Sequence, residues 1–196
     1  MTFIYFICGF SENPEKHVSS GGSRVNIFLG GVHGVGKSFF AAQVPAGFGI
    51  VHKSASALIK EERAKPNWGT DKRVEDAAGN QLLLAAAVKK KNDEGVRLIL
   101  DGHFVLKGRD GEPIYLGADV FSALNLRAVV LLEADPQVIA QRLCERDARE
   151  ESVEELRRFI DAEHRQAQMV CETLHIPLTI LHSPNLDEFL SAVSPG

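Results

Sequence analysis

The fold of this chain is decided by one stretch, Gly31-Val32-His33-Gly34-Val35-Gly36-Lys37-Ser38. It matches the phosphate-binding loop pattern G-x-x-x-x-G-K-[ST]. An apolar run at residues 25–29 precedes the loop and predicts a buried strand, and residues 37–44 after it predict a helix. In this setting successive backbone N–H groups converge on a phosphate, and the helix dipole favours its negative charge. The sequence therefore predicts that the loop, together with Phe39, binds a nucleotide phosphate.

Two side chains of the loop carry specific chemistry. Lys37 is expected to reach the β- and γ-phosphates of ATP, and the Ser38 hydroxyl is expected to ligate Mg²⁺. The glycines are needed because only a residue without a side chain lets the backbone turn this sharply and approach phosphate oxygens. ATP and Mg²⁺ are thus the predicted cofactors.

Length and composition favour one domain of ordinary charge. With 196 residues, 44% of them hydrophobic, the chain can bury one substantial core. Its net charge of -4 argues against wholesale binding to nucleic acid or to an anionic membrane. Cys8, Cys144 and Cys171 are odd in number and lack the spacing of a metal site. They indicate free thiols in a reducing cytosol, so a cytoplasmic location is expected.

The first 23 residues differ in composition from the rest. The apolar stretch at residues 3–10 is too short to span a bilayer, and residues 11–23 end in a serine- and glycine-rich run typical of a flexible linker. We favour a dispensable extension here, against an apolar segment that docks on a partner or on another subunit. Residues 24–196 then form the predicted nucleotide-binding domain, and the sequence leaves a homo-oligomer open.

From residue 25 onward short apolar runs alternate with longer amphipathic ones. Strands are predicted at residues 25–29, 49–52, 97–101, 127–133 and 178–182. Helices are predicted at residues 37–44, 55–65, 71–92, 136–148 and 152–174. Near-continuous apolar strands that alternate with helices are typical of a parallel sheet covered on both faces.

Asp101 ends one of these strands and is followed closely by His103. In an open parallel sheet, ligands collect outside the carboxyl ends of the strands. A carboxylate there can hold Mg²⁺ through water or orient a phosphate acceptor, and we favour this over an aspartate that only caps the loop. For His103 a packing or hydrogen-bonding role is favoured over a catalytic one.

Arg142, Arg146 and Arg149 recur at i, i+4 and i+7, which puts three guanidinium groups on one face of a predicted helix. Arginines can stabilise the negative charge that phosphoryl transfer spreads over the phosphate oxygens. The alternative is a solvated helix on which Glu145 pairs with Arg149 and Arg146 pairs with Glu150. Such pairs stabilise a helix by only ~0.2–0.5 kcal/mol each, and periodicity alone does not decide between the two.

From residue 25 to the end, the chain resembles the P-loop nucleoside monophosphate kinases, most closely the archaeal-type adenylate kinases and AAA-domain ATP-binding proteins. The phosphate loop is shared by many families, so the order of the later segments carries the resemblance. These segments are Lys72-Arg73-Val74 with Ala78-Gly79, Leu100-Asp101-Gly102-His103 with Lys107 and Gly111, Val129-Val130-Leu131-Leu132-Glu133, Arg142-Leu143 with Arg146-Asp147, and Ala162-Glu163-His164.

The resemblance implies an α/β P-loop NTPase fold, a three-layer sandwich whose five-stranded parallel sheet has the order 2-3-1-4-5 and helices on both faces. It also implies transfer of the ATP γ-phosphate to a nucleoside monophosphate. Arg142 would lie near the adenine, and Arg146 and Arg149 around the transferring phosphate. Lys37 would hold the donor, and Asp101 would support the metal through water.

Two departures from the family pattern leave the acceptor open. The family's proline-glycine-leucine-proline turn after the third strand is replaced by residues 112–117, and the arginine helix is shorter between Arg142 and Arg146. Both changes fall near substrate contacts. The alternatives to a nucleoside monophosphate kinase are a kinase for another small hydroxyl compound, or a nucleotide-dependent switch that hydrolyses ATP slowly and acts through a partner.

Overall fold

The computed structural model describes residues 23–64, 77–108, 110–148 and 150–194. The predicted N-terminal extension, the start of the helix predicted at residues 71–92, and Arg149 lie outside these ranges. The division of the chain at residue 23 stays a prediction. No helix within the described ranges is both long and apolar enough to cross a membrane.

A five-stranded parallel sheet and a separate antiparallel hairpin make up the strands. In chain order the strands are β1 (Asn26–Gly30), β2 (Ile50–Ser54), β3 (Arg97–Asp101), β4 (Val105–Lys107), β5 (Pro113–Tyr115), β6 (Leu126–Glu133) and β7 (Leu178–His182). The parallel sheet has the spatial order β2-β3-β1-β6-β7, and β4 pairs with β5. Counted without the hairpin, this is the predicted order 2-3-1-4-5, so the predicted fold class is confirmed.

Helices connect the parallel strands. They are α1 (Lys37–Ala41), α2 (Ala55–Arg63), α3 (Ala77–Asp93), α4 (Ala118–Ser122), α5 (Pro136–Asp147), α6 (Val153–Leu174) and α7 (Leu186–Val193), with a short 3-10 helix at Ala46–Phe48. Side-chain caps set several of their starts. Ser54 accepts a hydrogen bond from the Ala57 N–H at the start of α2, and Asp135 accepts one from the Gln137 N–H at the start of α5.

The three central strands β3, β1 and β6 carry the core. Their registers pair Ile27 with Ile99 on one side and with Ala128 on the other, so β1 lies in the middle of the sheet. Three phenylalanines at one end of the core contact each other, with ring centroids 5.0 Å (Phe28–Phe104), 5.1 Å (Phe28–Phe121) and 4.6 Å (Phe104–Phe121) apart. Burying such a side chain stabilises the fold by roughly 1.5–3 kcal/mol.

The structure corrects several predicted boundaries. The helix predicted at residues 37–44 ends at Ala41, because Pro45 disfavours helical geometry in Val44 and the chain tightens into i→i−3 hydrogen bonds there. Strand β2 runs on to Ser54, and α5 ends one residue earlier than predicted. The hairpin β4–β5 and the helices α4 and α7 were not predicted, because runs of three to eight residues are too short for a clear periodicity.

Candidate nucleotide site

The glycine loop between β1 and α1 has the backbone that only glycine adopts easily. Gly31 has a φ of 134° and Gly36 a φ of 112°, both in the left-handed region. A Cβ atom on Gly31 would lie 2.5 Å from the backbone oxygen of Leu132. Any other residue at this position would therefore clash with β6 in addition to straining the backbone. A Cβ on Gly34 would lie 2.9 Å from Leu143 of α5. The loop therefore packs directly against β6 and α5.

Lys37 folds back across the loop. Its side chain is buried, and Nζ donates hydrogen bonds to the backbone oxygens of Gly31 at 2.6 Å and Val32 at 3.2 Å. Nζ also lies 3.9 Å from Oδ1 of Asp101. Burial lowers the pKa of Lys37, and the charges of Asp101 and Glu163 partly oppose that change. The ammonium group is thus held at the loop, beside the end of β3.

Asp101 lies at the C-terminal end of β3 and contacts the start of α1. The Ser38 hydroxyl donates a hydrogen bond to Oδ2 at 2.8 Å, and Nε2 of His52 lies 3.5 Å from the same oxygen. Burial raises the pKa of Asp101, but the contacts with His52, Lys37 and Ser38 outweigh it, so the net pKa lies below the ordinary value. The carboxylate is therefore ionised at neutral pH.

His52 on β2 belongs to this site, but it was not among the site residues predicted from the sequence. Its Nε2 atom is buried, has no hydrogen-bond partner among the described atoms, and lies 3.5 Å from Oδ2 of Asp101. The only signal in the sequence was a histidine directly after the apolar pair Ile50-Val51, two residues before the serine cap of α2.

The Ser38 hydroxyl and the Asp101 carboxylate form an oxygen donor pair that suits Mg²⁺. This ion prefers oxygen ligands and keeps several waters, binding through one or two carboxylates and substrate phosphates. The described residues contain no group of three or more His, Cys, Asp or Glu side chains that could hold a metal without such help. The residues present therefore fit a metal ion that arrives with the nucleotide.

Arg142 and Arg146 both reach from α5 to the loop. Nη1 of Arg142 donates to the Val35 oxygen at 3.2 Å, and Nη2 of Arg146 lies 2.9 Å from Nε2 of His33. Arg146 also forms two hydrogen bonds with Asp147, of 2.8 and 2.6 Å, and not the pair with Glu150 that belonged to the alternative of a solvated helix. Ala148 ends α5 with a left-handed φ of 50°.

The two described arginines thus lie over the phosphate loop. The third residue of the predicted arginine face, Arg149, lies outside the described residues, so its predicted position remains a prediction.

A buried carboxylate on α6 supports the loop that follows β3. Glu163 is only 2% exposed, accepts a hydrogen bond from the Phe104 N–H at 2.8 Å, and lies 3.2 Å from Nδ1 of His103. This contact agrees with the hydrogen-bonding role favoured for His103. The sequence signal was a glutamate on the apolar face of α6, four residues after Phe159 and four before Ala167.

One large cavity, about 1050 Å³ in volume, joins these groups. At one end the cavity is lined by residues that were predicted to bind ATP and Mg²⁺. These are Val32, His33, Gly34, Val35, Gly36, Lys37, Ser38, Phe39, Asp101, Arg142 and Arg146. The other end is bounded by α2, α3, α4 and the hairpin. Gly31 does not line the cavity, but its carbonyl oxygen accepts the hydrogen bond from Lys37.

Comparison with known proteins agrees with this architecture. The model of the AAA domain family matches residues 30–159 of the chain. Among curated proteins no match is found. One similar solved structure is that of a putative kinase from Chloroflexus aurantiacus, 14% identical, with a TM-score of 0.51, covering 87% of this chain and 96% of that one.

Two further solved structures are similar at lower TM-scores. One is a sugar kinase from Janibacter sp., 21% identical, with a TM-score of 0.49, covering 85% of this chain and 90% of that one. The other is a gluconokinase from Sinorhizobium meliloti, 17% identical, with a TM-score of 0.47, covering 87% of this chain and 89% of that one. At these identities structural likeness describes the fold and does not assign a substrate.

Proposed function

Because the chain belongs to the AAA domain family, whose model matches residues 30–159, we propose that it is an ATP- and Mg²⁺-dependent phosphotransferase acting on a small molecule. One observation carries the proposal. Lys37 and Ser38 from the loop meet Asp101 from β3 at one end of a cavity with room for a second substrate.

The proposed reaction is in-line transfer of the ATP γ-phosphoryl group. The bond from the γ-phosphorus to the βγ-bridging oxygen breaks as a bond to the acceptor oxygen forms, and ADP leaves. Lys37 and the loop amides hold the donor phosphates, and Arg142 and Arg146 neutralise charge on the transferring group. Arg149 is proposed to join them. Positioning and charge neutralisation then supply most of the rate enhancement.

The proposed metal site consists of Ser38 and Asp101. When bound there, Mg²⁺ neutralises negative charge on the phosphate oxygens. The low pKa of Asp101 supports this role, because the carboxylate does not have to lose a proton at neutral pH before it can hold a cation directly or through water.

For the acceptor we propose a nucleoside monophosphate, following the resemblance in the segments after the loop. The test is a screen in which the purified chain is incubated with ATP, Mg²⁺ and single candidate acceptors, and phosphorylated product is measured. We expect product from AMP or dAMP. Product only from non-nucleotide hydroxyl compounds would contradict this acceptor but support phosphoryl transfer. No product, together with a partner that co-purifies only when nucleotide is bound, would contradict the phosphotransferase itself.

Acidification is expected to lower kcat through His33. Burial lowers the pKa of His33, and the charges of Arg146, Lys37 and His103 lower it further, against a smaller opposing effect of Asp147. Neutral His33 can accept a hydrogen bond from Arg146, whereas protonated His33 repels it. The contribution of this contact is complete above about pH 6.5 and is lost as the pH falls through the lowered pKa of the folded protein. The measurement is kcat as a function of pH.

The matched variant for this prediction is His33→Gln. The glutamine side-chain oxygen can accept a hydrogen bond from Arg146 and does not titrate in this range. We expect His33→Gln to retain most of the activity at pH 7.5 and to lose the decline of kcat on the acid side. A decline of the same size and midpoint in both proteins would show that another group causes it.

A further inference from the structure

The hairpin β4–β5 forms one wall of the large cavity. Leu106 from β4 and Leu116, which directly follows β5, both line the cavity. Cross-strand pairing places Leu106 opposite Ile114, and Ile114 does not line the cavity. The hairpin therefore presents particular side chains, and not its whole face, to whatever fills this end of the cavity.

Helix α6 holds the hairpin in place from the other side. Nζ of Lys107 lies 2.6 Å from Oε1 of Glu155, and Nη2 of Arg158 donates to the backbone oxygen of Gly111 at 3.0 Å. Arg158 also lies 3.5 Å from the carboxylate of Glu112 at the hairpin turn. Contacts on both the first strand and the turn limit rotation of the hairpin away from α6, so the cavity wall is preformed.

The backbone behind the wall has its hydrogen bonds completed within the protein. The Phe104 N–H donates to Glu163 at 2.8 Å, and the Leu116 N–H donates to the Phe104 oxygen at 3.0 Å. The Leu116 oxygen accepts from the buried side chain of Gln166 at 2.6 Å. These backbone groups are therefore engaged and are not offered to a ligand, so the wall acts through its side chains.

The side chains at this end of the cavity are mostly apolar. Those of the hairpin and α4 side are Leu106, Leu116, Val120, Phe121 and Leu124, and those from β1, α2 and α3 are Phe28, Ile59 and Leu84. The polar side chains at the same end are fewer and are Ser54, Ser56, Asn80, Gln81 and His103. A polyol buried here would find partners for only some of its hydroxyl groups, whereas an apolar-faced ring would pack against the apolar side chains that make up most of this lining.

We propose that Leu106 and Leu116 are specificity-determining residues that select a phosphate acceptor with an apolar-faced ring and discriminate against open-chain polyols and sugar acids. This inference rests on the proposed function, because it takes the hairpin end of the cavity as the acceptor end. The ring packs between the hairpin and α3, and the group that receives the phosphate is directed toward Lys37 and Asp101.

The test measures acceptor binding separately from transfer. AMP, as a ring-bearing probe, and gluconate, as a polyol probe, are titrated into the full chain with a non-hydrolysable ATP analogue and Mg²⁺, and binding is followed by calorimetry. We expect AMP to bind and gluconate not to. We expect Leu106→Asn and Leu116→Asn each to weaken AMP binding about tenfold, since a polar group replaces part of an apolar contact. Affinity for the ATP analogue should stay unchanged.

Ile114→Asn is the matched control, because it puts the same polar group on the strand paired with Leu106 but outside the cavity. It should bind AMP like the unmodified chain, and Leu106→Met should retain most of the affinity. Melting temperatures of all variants identify any that fail to fold, and Leu106, which is partly exposed, is the safer of the two sites.

Equal AMP affinity in Leu106→Asn, Leu116→Asn and Ile114→Asn would overturn the proposal, as would tighter binding of gluconate than of AMP. Failure of the proposed function has a different signature. In that case AMP binding responds to the leucine variants as expected, but no acceptor is phosphorylated by the unmodified chain.

Discussion

Replacing Lys37 with methionine is expected to lower kcat by about a thousandfold while the fold stays intact, because the positively charged ammonium group at the phosphate loop is lost. Methionine fills most of the buried space but cannot donate to the Gly31 and Val32 oxygens or neutralise phosphate charge. The measurement is steady-state transfer to the best acceptor, with the melting temperature and circular dichroism spectrum as checks of folding.

Lys89→Met is the matched control for this variant. Lys89 lies on the exposed face of α3, where it pairs with Asp93 at 2.7 Å, so the same substitution there should leave kcat within about twofold, as for an exposed ion pair. A folded Lys37→Met protein with near-normal kcat would rule out the assignment of the loop as the donor site.

Replacing Asp101 with asparagine is expected to lower kcat by about a hundredfold or more at limiting Mg²⁺, since the carboxylate charge that supports the metal is removed. Asparagine keeps the shape and can still accept the hydrogen bond from Ser38. The loss should therefore show as a higher Mg²⁺ concentration at half-maximal rate. The measurement is kcat across a series of Mg²⁺ concentrations at saturating ATP.

Asp161→Asn, on the exposed face of α6, serves as the control for this variant and should have the Mg²⁺ dependence of the unmodified chain. If Asp101→Asn lowered kcat without changing the Mg²⁺ dependence, Asp101 would act by orienting the acceptor, which is the other role that the sequence analysis gave it.

Much of the central sheet was predictable because its signals are local. Strands β1, β3 and β6 are near-continuous apolar runs, and the glycine loop marks where the first of them ends. Asp101 could be placed at the site because the carboxyl ends of parallel strands meet at one edge of a sheet. The predicted contact region between Asp101 and the loop therefore followed from topology, without knowledge of any side-chain position.

The arrangement of the remaining site groups could not be predicted, because it depends on contacts between residues distant in sequence. His33 and Arg146 are separated by 113 positions and meet only because the loop packs against α5. Glu163 reaches the loop after β3 from the middle of α6, 59 positions from Phe104. No pattern in either segment indicates its partner.

The hairpin shows the same limit at the proposed acceptor end of the cavity. Its strands have three residues each, and residues 112–117 were recognised only as a departure from the related kinases. Ion pairs and hydrogen bonds join it to α6, which lies about 40 positions further along the chain, so its position depends on contacts between distant segments.

By itself, the sequence determined the phosphate loop and its place between a strand and a helix, because such a loop is one continuous segment whose glycines, lysine and serine stand at fixed spacing. The alternation of apolar runs and helices predicted a parallel sheet, and the family resemblance of the later segments implied its strand order. Only the tertiary structure decided the other end of the cavity, where we propose that the acceptor binds. There the hairpin, α3, α4 and α6 enclose a cavity jointly, and its shape and polarity exist only after those elements have packed.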